Sequence, residues 1–231
     1  MRIVSIHAHP DDAEILAGGT LASLAQRGHD LAIVTMTPGD KGSDKLPPDE
    51  IAAVRRLEAE TAAMLIGAEY RCAEFRDLEI FSDHASRLRV VELIRQLRPD
   101  LVLTASPTDY LCDHEATSAL VRDALFAAPA RNYVTDSPPL DRIPHLYFMD
   151  PIDDIVEVDF VVDVAGTFEI KRAMLAAHAS QREWLRRQHG MDDYLASMEA
   201  WTQRRGGEGF RQYRKHPYPQ SPLLQELLGL S

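Results

Sequence analysis

The stretch AHPDDAE at residues 8–14 places a histidine and two adjacent aspartates directly after a short apolar run. Neighbouring carboxylates repel each other, and burying them is costly unless a positive charge lies beside them. His9 and Asp12 are three residues apart in a turn that begins at a proline, so both side chains can face one point, with Asp11 beside them. A divalent cation at that point would stabilise both ionised aspartates.

A second histidine with a neighbouring carboxylate follows another apolar run, DLVLTAS at 100–106. Two histidines and one carboxylate with open positions form a common catalytic metal site. The sequence therefore predicts His9, Asp12 and His114 as ligands of one divalent ion, and Asp113 as the residue that orients His114. The alternative is structural, because the same residue types cap helices and line solvated loops.

The elements that must position these residues alternate between short β-like runs and amphipathic stretches. Strands are predicted at 2–6, 31–37, 69–75, 100–106, 145–150 and 159–164, and helices at 21–28, 50–67, 85–98, 114–128 and 167–181. This alternation predicts a Rossmann-like, doubly wound α/β fold, a mostly parallel sheet with helices on both faces in a three-layer sandwich. Ligands bind beyond the carboxyl ends of such strands, so the loops AHPDDAE, PGDKGS and SPTDYLCDHE can converge.

Composition excludes several classes of protein. Among 231 residues, 25 Lys and Arg against 36 Asp and Glu give a net charge of −11, which disfavours nucleic acid as a partner. No apolar run is long enough to span a membrane. Two cysteines without a CxxC motif, and no recognisable secretion leader, lead us to expect a cytoplasmic protein.

The chain changes character near residue 190. We expect residues 1–190 to form the main domain and residues 191–231 to form a C-terminal extension that packs on it or on a partner subunit. The apolar LLQELLGL near the end would suit a homo-oligomer. Trp184 and Trp201 are interpreted as parts of amphipathic helices, partly buried beside solvated charges.

AHPDDAEILAGGT resembles the signature of the LmbE-like zinc de-N-acetylases, the family that includes N-acetylglucosaminyl-phosphatidylinositol de-N-acetylase (PIG-L). The resemblance continues through PGDKGS, RRLEAETAAMLIG, FRDLEI, RPDLVLTASPTDYLCDHEAT and MLAAHASQ, and covers roughly residues 2–181. It implies one Zn²⁺ per chain, with other divalent ions possible. It also implies a small-molecule substrate, an N-acetylated amino sugar of the N-acetylglucosamine type or its conjugate, from which acetyl is removed.

The resemblance also assigns roles to single residues. It implies the three ligands named above and makes Asp11 the general base. Arg55, in RRLE, matches an arginine that holds substrate in the family, and Asp77, in FRDLEI, matches a position that contacts sugar hydroxyls.

One position departs from the family pattern. The family writes its second motif as His-x-Asp-His and uses the first histidine to stabilise the tetrahedral oxyanion, whereas this chain has Leu111 there. Leucine donates no hydrogen bond, and losing one oxyanion donor costs about two to three orders of magnitude in rate. Tyr110 and His178 are the nearest candidates to replace it in substrate binding.

Three alternative functions follow from the same residues. The site would also suit a metal-dependent amidase acting on a non-sugar amide, or an iron(II) oxygenase, in which two histidines and a carboxylate hold the metal. In the third alternative, Leu111 marks a lost oxyanion hole, and the chain is a sugar-binding pseudoenzyme.

Overall fold

The computed structural model describes residues 1–152, 154–190 and 192–230, with the side chain of His189 left aside. The strands are β1 (Arg2–His7), β2 (Asp30–Thr35), β3 (Glu69–Cys72), β4 (Leu101–Thr104), β5 (His145–Met149), β6 (Phe160–Val162) and β7 (Glu208–Gln212). The helices are α1 (Asp12–Gln26), α2 (Pro48–Met64), α3 (His84–Leu97), α4 (Cys112–Ala127), α5 (Phe168–Ala176), α6 (Ala179–His189), α7 (Tyr194–Arg205) and α8 (Leu223–Leu228), with a 3₁₀ turn at Ala165–Thr167.

The strands form one sheet in the order β3-β2-β1-β4-β5-β7-β6. The first five strands in this order are parallel, whereas β7 runs antiparallel to both β5 and β6. β1 and β4 are neighbours in the sheet although far apart in sequence, and Ile6 pairs with Thr104 near their carboxyl ends. The loops that follow these two strands therefore begin side by side.

Successive side chains of β1 enter two different hydrophobic cores, one on each face of the sheet. Val4 and Ile6 belong to the core that α3 and α4 cover, whereas Ile3 belongs to the opposite core, under α1, α5 and α8. Successive side chains of a strand point to opposite faces, so a doubly covered sheet needs apolar residues at both phases. This arrangement confirms the predicted three-layer α/β fold.

Helix α1 begins at Asp12, earlier than the predicted start at residue 21. Gly18 and Gly19, which are weak helix formers, lie inside it. A Cβ at Gly19 would lie 2.6 Å from the Cβ of Val164, and one at Gly18 would lie 3.1 Å from Cγ of Lys171. The pair therefore allows α5 and the turn before it to approach α1 closely, and this packing outweighs the low helix propensity.

The segment after residue 190 contributes to the same sheet and core. β7 inserts between β5 and β6, and Phe210 packs in one core with Leu224 of α8. Buried Glu208 accepts a hydrogen bond from Lys171 Nζ at 2.7 Å. A partner subunit on this segment stays a prediction. No helix in the described part of the chain is long and apolar enough to cross a membrane.

Candidate metal centre and active-site cavity

The three predicted metal ligands meet where β1 and β4 end. His9 follows β1, Asp12 opens α1, and His114 lies in the first turn of α4. His9 Nδ1 lies 3.3 Å from His114 Nε2 and 3.5 Å from Asp12 Oδ2, and His114 Nε2 lies 3.4 Å from the same oxygen. The topology of the sheet thus brings together residues that are distant in sequence.

This triangle of donor atoms has the size that a metal ion requires. Ligand atoms about 2.1 Å from a tetrahedral ion lie about 3.4 Å from one another. Two imidazole nitrogens and one carboxylate oxygen also form a donor set that suits Zn²⁺ and other divalent ions. The residues present therefore fit a divalent metal.

A second set, His9, Asp77 and Asp113, also gathers within reach of one ion. It contains one imidazole instead of two, and its His9 Nε2 lies 3.9 Å from Asp77 Oδ1. The first set, with two imidazoles and sides of 3.3 to 3.5 Å, therefore offers the better site.

Two carboxylates orient the imidazoles, and their pairing differs from the prediction. Asp113 Oδ2 lies 3.2 Å from His9 Nε2, whereas Asp109 Oδ1 lies 3.0 Å from His114 Nδ1. The prediction that Asp113 orients His114 is wrong, because consecutive residues of a helix do not face each other. The sequence analysis missed Asp109.

The charges around the imidazoles favour a cation. Burial lowers the pKa of His9, but Asp113 and Asp12 outweigh it and raise that pKa to about 9. Burial likewise opposes the charge on His114, while Asp12 and Asp109 raise its pKa to about 11. Burial alone would raise the pKa of Asp12, yet His114 and His9 hold it well below its usual value. The centre therefore stabilises positive charge.

Asp11 lies beside the ligands in an unusual backbone conformation. Its φ of 102° places it in the left-handed region immediately before α1. The hydroxyl of Tyr194 donates to Asp11 Oδ2 at 2.6 Å, and Arg55 Nη2 lies 3.6 Å from the same oxygen. Burial raises the pKa of Asp11. Such backbone strain in a non-glycine residue is often found at functional sites.

Arg55 is buried against the loop PGDKGS. Its Nη2 donates to the carbonyl of Pro10 at 2.7 Å. A Cβ at Gly39 would lie 2.3 Å from Arg55 Nη1, and one at Gly42 would lie 2.6 Å from the same atom. Both glycines of this loop therefore leave room for the guanidinium.

The metal centre opens into a cavity of about 550 Å³, a size typical of small-molecule sites. Arg55, Asp77 and Tyr110, predicted to contact substrate, line it, as do Leu111, Asp11 and the ligands. Sequence reasoning missed an opposite wall, which α6, α7 and the residue before α7 provide. That wall consists of Gln181, Trp184, Leu185, Asp193, Tyr194, Ser197 and Trp201.

His178 lies away from the cavity lining. Its side chain is fully buried, with Nε2 3.5 Å from Glu14 Oε1. His178 therefore does not line the cavity, and its contact with substrate stays a prediction. Tyr110, in contrast, is 72% exposed, and its ring centroid lies 5.7 Å from that of His114.

The fold and the site define an α/β protein with a candidate single-metal centre at the carboxyl ends of its central strands. The profile of the family described as PIG-L: GlcNAc-PI de-N-acetylase matches residues 4–125, more than half of the chain. The chain therefore belongs to this family of hydrolytic N-deacetylases, and the predicted resemblance is confirmed.

Named relatives carry two activities. The chain is 26% identical to 1D-myo-inositol 2-acetamido-2-deoxy-alpha-D-glucopyranoside deacetylase of Mycobacterium sp. (strain KMS), covering 78% of this chain and 74% of the relative. It is 25% identical to 4-oxalmesaconate hydratase of Pseudomonas putida, covering 76% and 72%. N,N'-diacetylchitobiose deacetylase from Pyrococcus horikoshii shares the fold, with a TM-score of 0.78, 24% identity and coverage of 96% and 88%.

Proposed function

We propose that this protein removes the acetyl group from an N-acetylated amino sugar or its conjugate with one Zn²⁺ held by His9, Asp12 and His114. The observation that carries the proposal is the triangle of donor atoms, 3.3 to 3.5 Å on a side, with Asp11 beside it at the cavity. The mycobacterial relative, whose name specifies a 2-acetamido-2-deoxy sugar, supports this substrate class.

Asp11 is the group that moves the proton. When bound, Zn²⁺ would polarise the amide carbonyl and lower the pKa of a water molecule. Asp11 accepts the proton of the attacking water and then returns it to the departing amine nitrogen. The hydroxyl of Tyr194 donates to Asp11 Oδ2, and the guanidinium of Arg55 lies beside the same oxygen. We therefore assign the transferred proton to Oδ1.

Other residues hold the substrate and its developing charge. Arg55 and Asp77 line the cavity, and we assign them to the sugar hydroxyls. Leu111 offers no donor to the tetrahedral oxygen, so we assign that role to the phenol of Tyr110, which lies beside His114.

Product analysis tests the proposal. The metal-loaded protein is incubated with methyl 2-acetamido-2-deoxyglucopyranoside, and acetate and free amine are measured together. We expect equal amounts of both, with no release after the metal is removed. N-acetylated amino acids serve as the non-sugar comparison. Release of acetate from these alone would reassign the chain to amidases that act on non-sugar amides.

A hydratase activity is the second candidate, favoured by the relative in Pseudomonas putida and by Leu111, since hydration of a double bond forms no amide oxyanion. The carboxylates of Asp77 and Asp193 on the cavity wall disfavour an anionic substrate. Metal-dependent hydration of 4-oxalmesaconate, without acetate release from any acetamido sugar, would establish this candidate instead.

A further inference from the structure

We infer that the wall formed by α6 and α7 binds a neutral aromatic aglycone on the amino sugar. This inference rests on the proposed deacetylation and specifies the part of the substrate beyond the sugar ring. The two tryptophans of the chain, Trp184 and Trp201, both line this wall.

Helical spacing places the wall residues on single faces. Gln181, Trp184 and Leu185 stand at positions i, i+3 and i+4 of α6 and line the cavity together. On α7, Ser197 and Trp201 are four residues apart and line it as well. Each helix therefore presents a continuous face to the ligand instead of an isolated side chain.

The cavity lining also includes apolar side chains. Ile15, Ile152 and Leu185 line it together with the two indoles. Tryptophan offers a large flat surface on which an aromatic ring stacks, with a preference beyond the area buried. A planar aglycone makes use of this surface, whereas a polyhydroxylated ring such as inositol would lose hydrogen bonds to water there.

Gln181, one turn before Trp184 on α6, adds a buried polar group to the same lining. Gln181 is only 7% exposed, and its Oε1 has no hydrogen-bond partner among the described residues. A Cβ on Gly42 would lie 3.1 Å from this oxygen and 2.6 Å from Arg55 Nη1. Buried polar atoms are nearly always paired in native proteins. The Gln181 amide and the Arg55 guanidinium therefore make one part of the cavity lining polar, which suits the sugar of the substrate.

Charge argues against a phosphorylated aglycone. The basic side chains among the lining residues, Lys41 and Arg55, already donate to protein oxygens: Lys41 Nζ to Glu79 Oε1 at 2.9 Å, and Arg55 Nη2 to a backbone carbonyl at 2.7 Å. Asp77 and Asp193 add negative charge to the lining of the same cavity. A neutral aglycone avoids repulsion by these carboxylates.

Tryptophan fluorescence measures this binding without turnover. The metal-loaded protein is titrated with the deacetylated products, the phenyl, methyl and myo-inositol 2-amino-2-deoxyglucopyranosides, in both anomers where available. We expect the phenyl glycoside to quench the fluorescence and to bind with a Kd about tenfold lower than the methyl glycoside. Equal Kd values for these two glycosides, or tightest binding of the inositol glycoside, would overturn the inference.

Substitutions locate the effect on the wall. Trp184→Ala should bring the ratio of methyl to phenyl Kd values close to one, and Trp184→Phe should preserve most of it. The control Phe126→Ala removes an exposed aromatic side chain outside the cavity lining, so the ratio should not change. If the ratio of Kd values is unaffected by Trp184→Ala, or is lost in Phe126→Ala, the wall does not bind the aglycone. Acetate release from the three acetylated glycosides tests the proposed deacetylation separately.

Discussion

Each imidazole, of His9 and of His114, directs one nitrogen toward the candidate metal centre and has a carboxylate beside its other nitrogen. For His114 that carboxylate is Asp109, whose Oδ1 lies 3.0 Å from Nδ1. Such a contact fixes the tautomer and the orientation of the ring and makes the ligand nitrogen more basic. The carboxylates that orient the imidazoles are thus as specific a part of the site as the ligands.

Asp109→Asn should therefore weaken metal binding about 10- to 100-fold, since outer partners of a ligating histidine contribute effects of that size. Competition with a chelator of known affinity measures the Kd for Zn²⁺. Asp193→Asn is the matched control, because Asp193 lines the cavity without contacting a ligand imidazole. Equal Kd values for Zn²⁺ in both variants and the native chain would show that Asp109 does not support metal binding.

Leu111 lines the cavity, and the resemblance to the family leads us to expect a hydrogen-bond donor at its position. Leu111→His should raise kcat on an acetamido sugar by about 10- to 100-fold, because a donor to the oxyanion contributes up to two to three orders of magnitude. Leu111→Phe changes size without adding a donor and should give no gain. A histidine variant no faster than the native protein would contradict the missing donor at Leu111 and would leave the phenol of Tyr110 as a sufficient donor.

At the level of single residues, the sequence predicts the metal ligands better than the carboxylates that orient their imidazoles. His9, Asp12 and His114 belong to two contiguous motifs, and the adjacency of parallel strands brings these motifs together. Asp109 could not be distinguished from Asp113 in this way. Which of two nearby carboxylates reaches an imidazole depends on the helix start at Cys112 and on side-chain directions that spacing alone does not determine.

Helix α7 couples the C-terminal segment to the reaction centre. Tyr194, at its first residue, is buried and donates to Asp11, and burial together with that carboxylate raises the pKa of the tyrosine well above its usual value. The hydroxyl therefore remains a donor at neutral pH. It is a positioning residue for Asp11, since it acts through that side chain.

Tyr194→Phe should lower kcat about tenfold or more and leave KM within about twofold, because a hydrogen bond to a charged group contributes roughly 1.5–3 kcal/mol. Tyr70→Phe is the control, since its hydroxyl bonds Thr35 at 2.8 Å outside the cavity lining. An unchanged kcat in Tyr194→Phe, or an equal fall in both variants, would contradict the positioning role.

The periodic elements were predictable, whereas the wall of the cavity was not. Alternating strands and helices in residues 2–181 indicate the sheet and the edge where the loops converge. Trp184 and Trp201 lie on amphipathic helices whose spacing is typical of packing against any apolar surface. Both tryptophans line the same cavity as Asp11. Their place there depends on how α6 and α7 pack on distant parts of the chain, for which the local sequence pattern contains no signal.

The whole molecule has a net charge of −11. Four of its aspartates, Asp11, Asp12, Asp77 and Asp113, are buried close together at the candidate metal centre. A cation bound as proposed would offset their repulsion in the folded state alone. Folding and metal binding would then be thermodynamically linked.

Removal of the metal should lower Tm. At a free Zn²⁺ concentration about 100 times the Kd, linkage stabilises the fold by about 2.7 kcal/mol, or roughly 5–10 °C for a chain of this size. Scanning calorimetry with and without a chelator measures the shift. His114→Ala, which lacks one ligand, should show little response to either treatment. A Tm that does not depend on metal in the native chain would argue against the centre.

The most direct test of the central claim compares the native chain with Asp11→Asn, both analysed for metal content and for acetate release from methyl 2-acetamido-2-deoxyglucopyranoside. We expect close to one zinc per chain in both proteins. We also expect a loss of about 10²- to 10⁴-fold in kcat in the variant, the usual contribution of a general base. A metal-replete Asp11→Asn protein with native turnover, or a native chain that binds no divalent metal, would contradict the account.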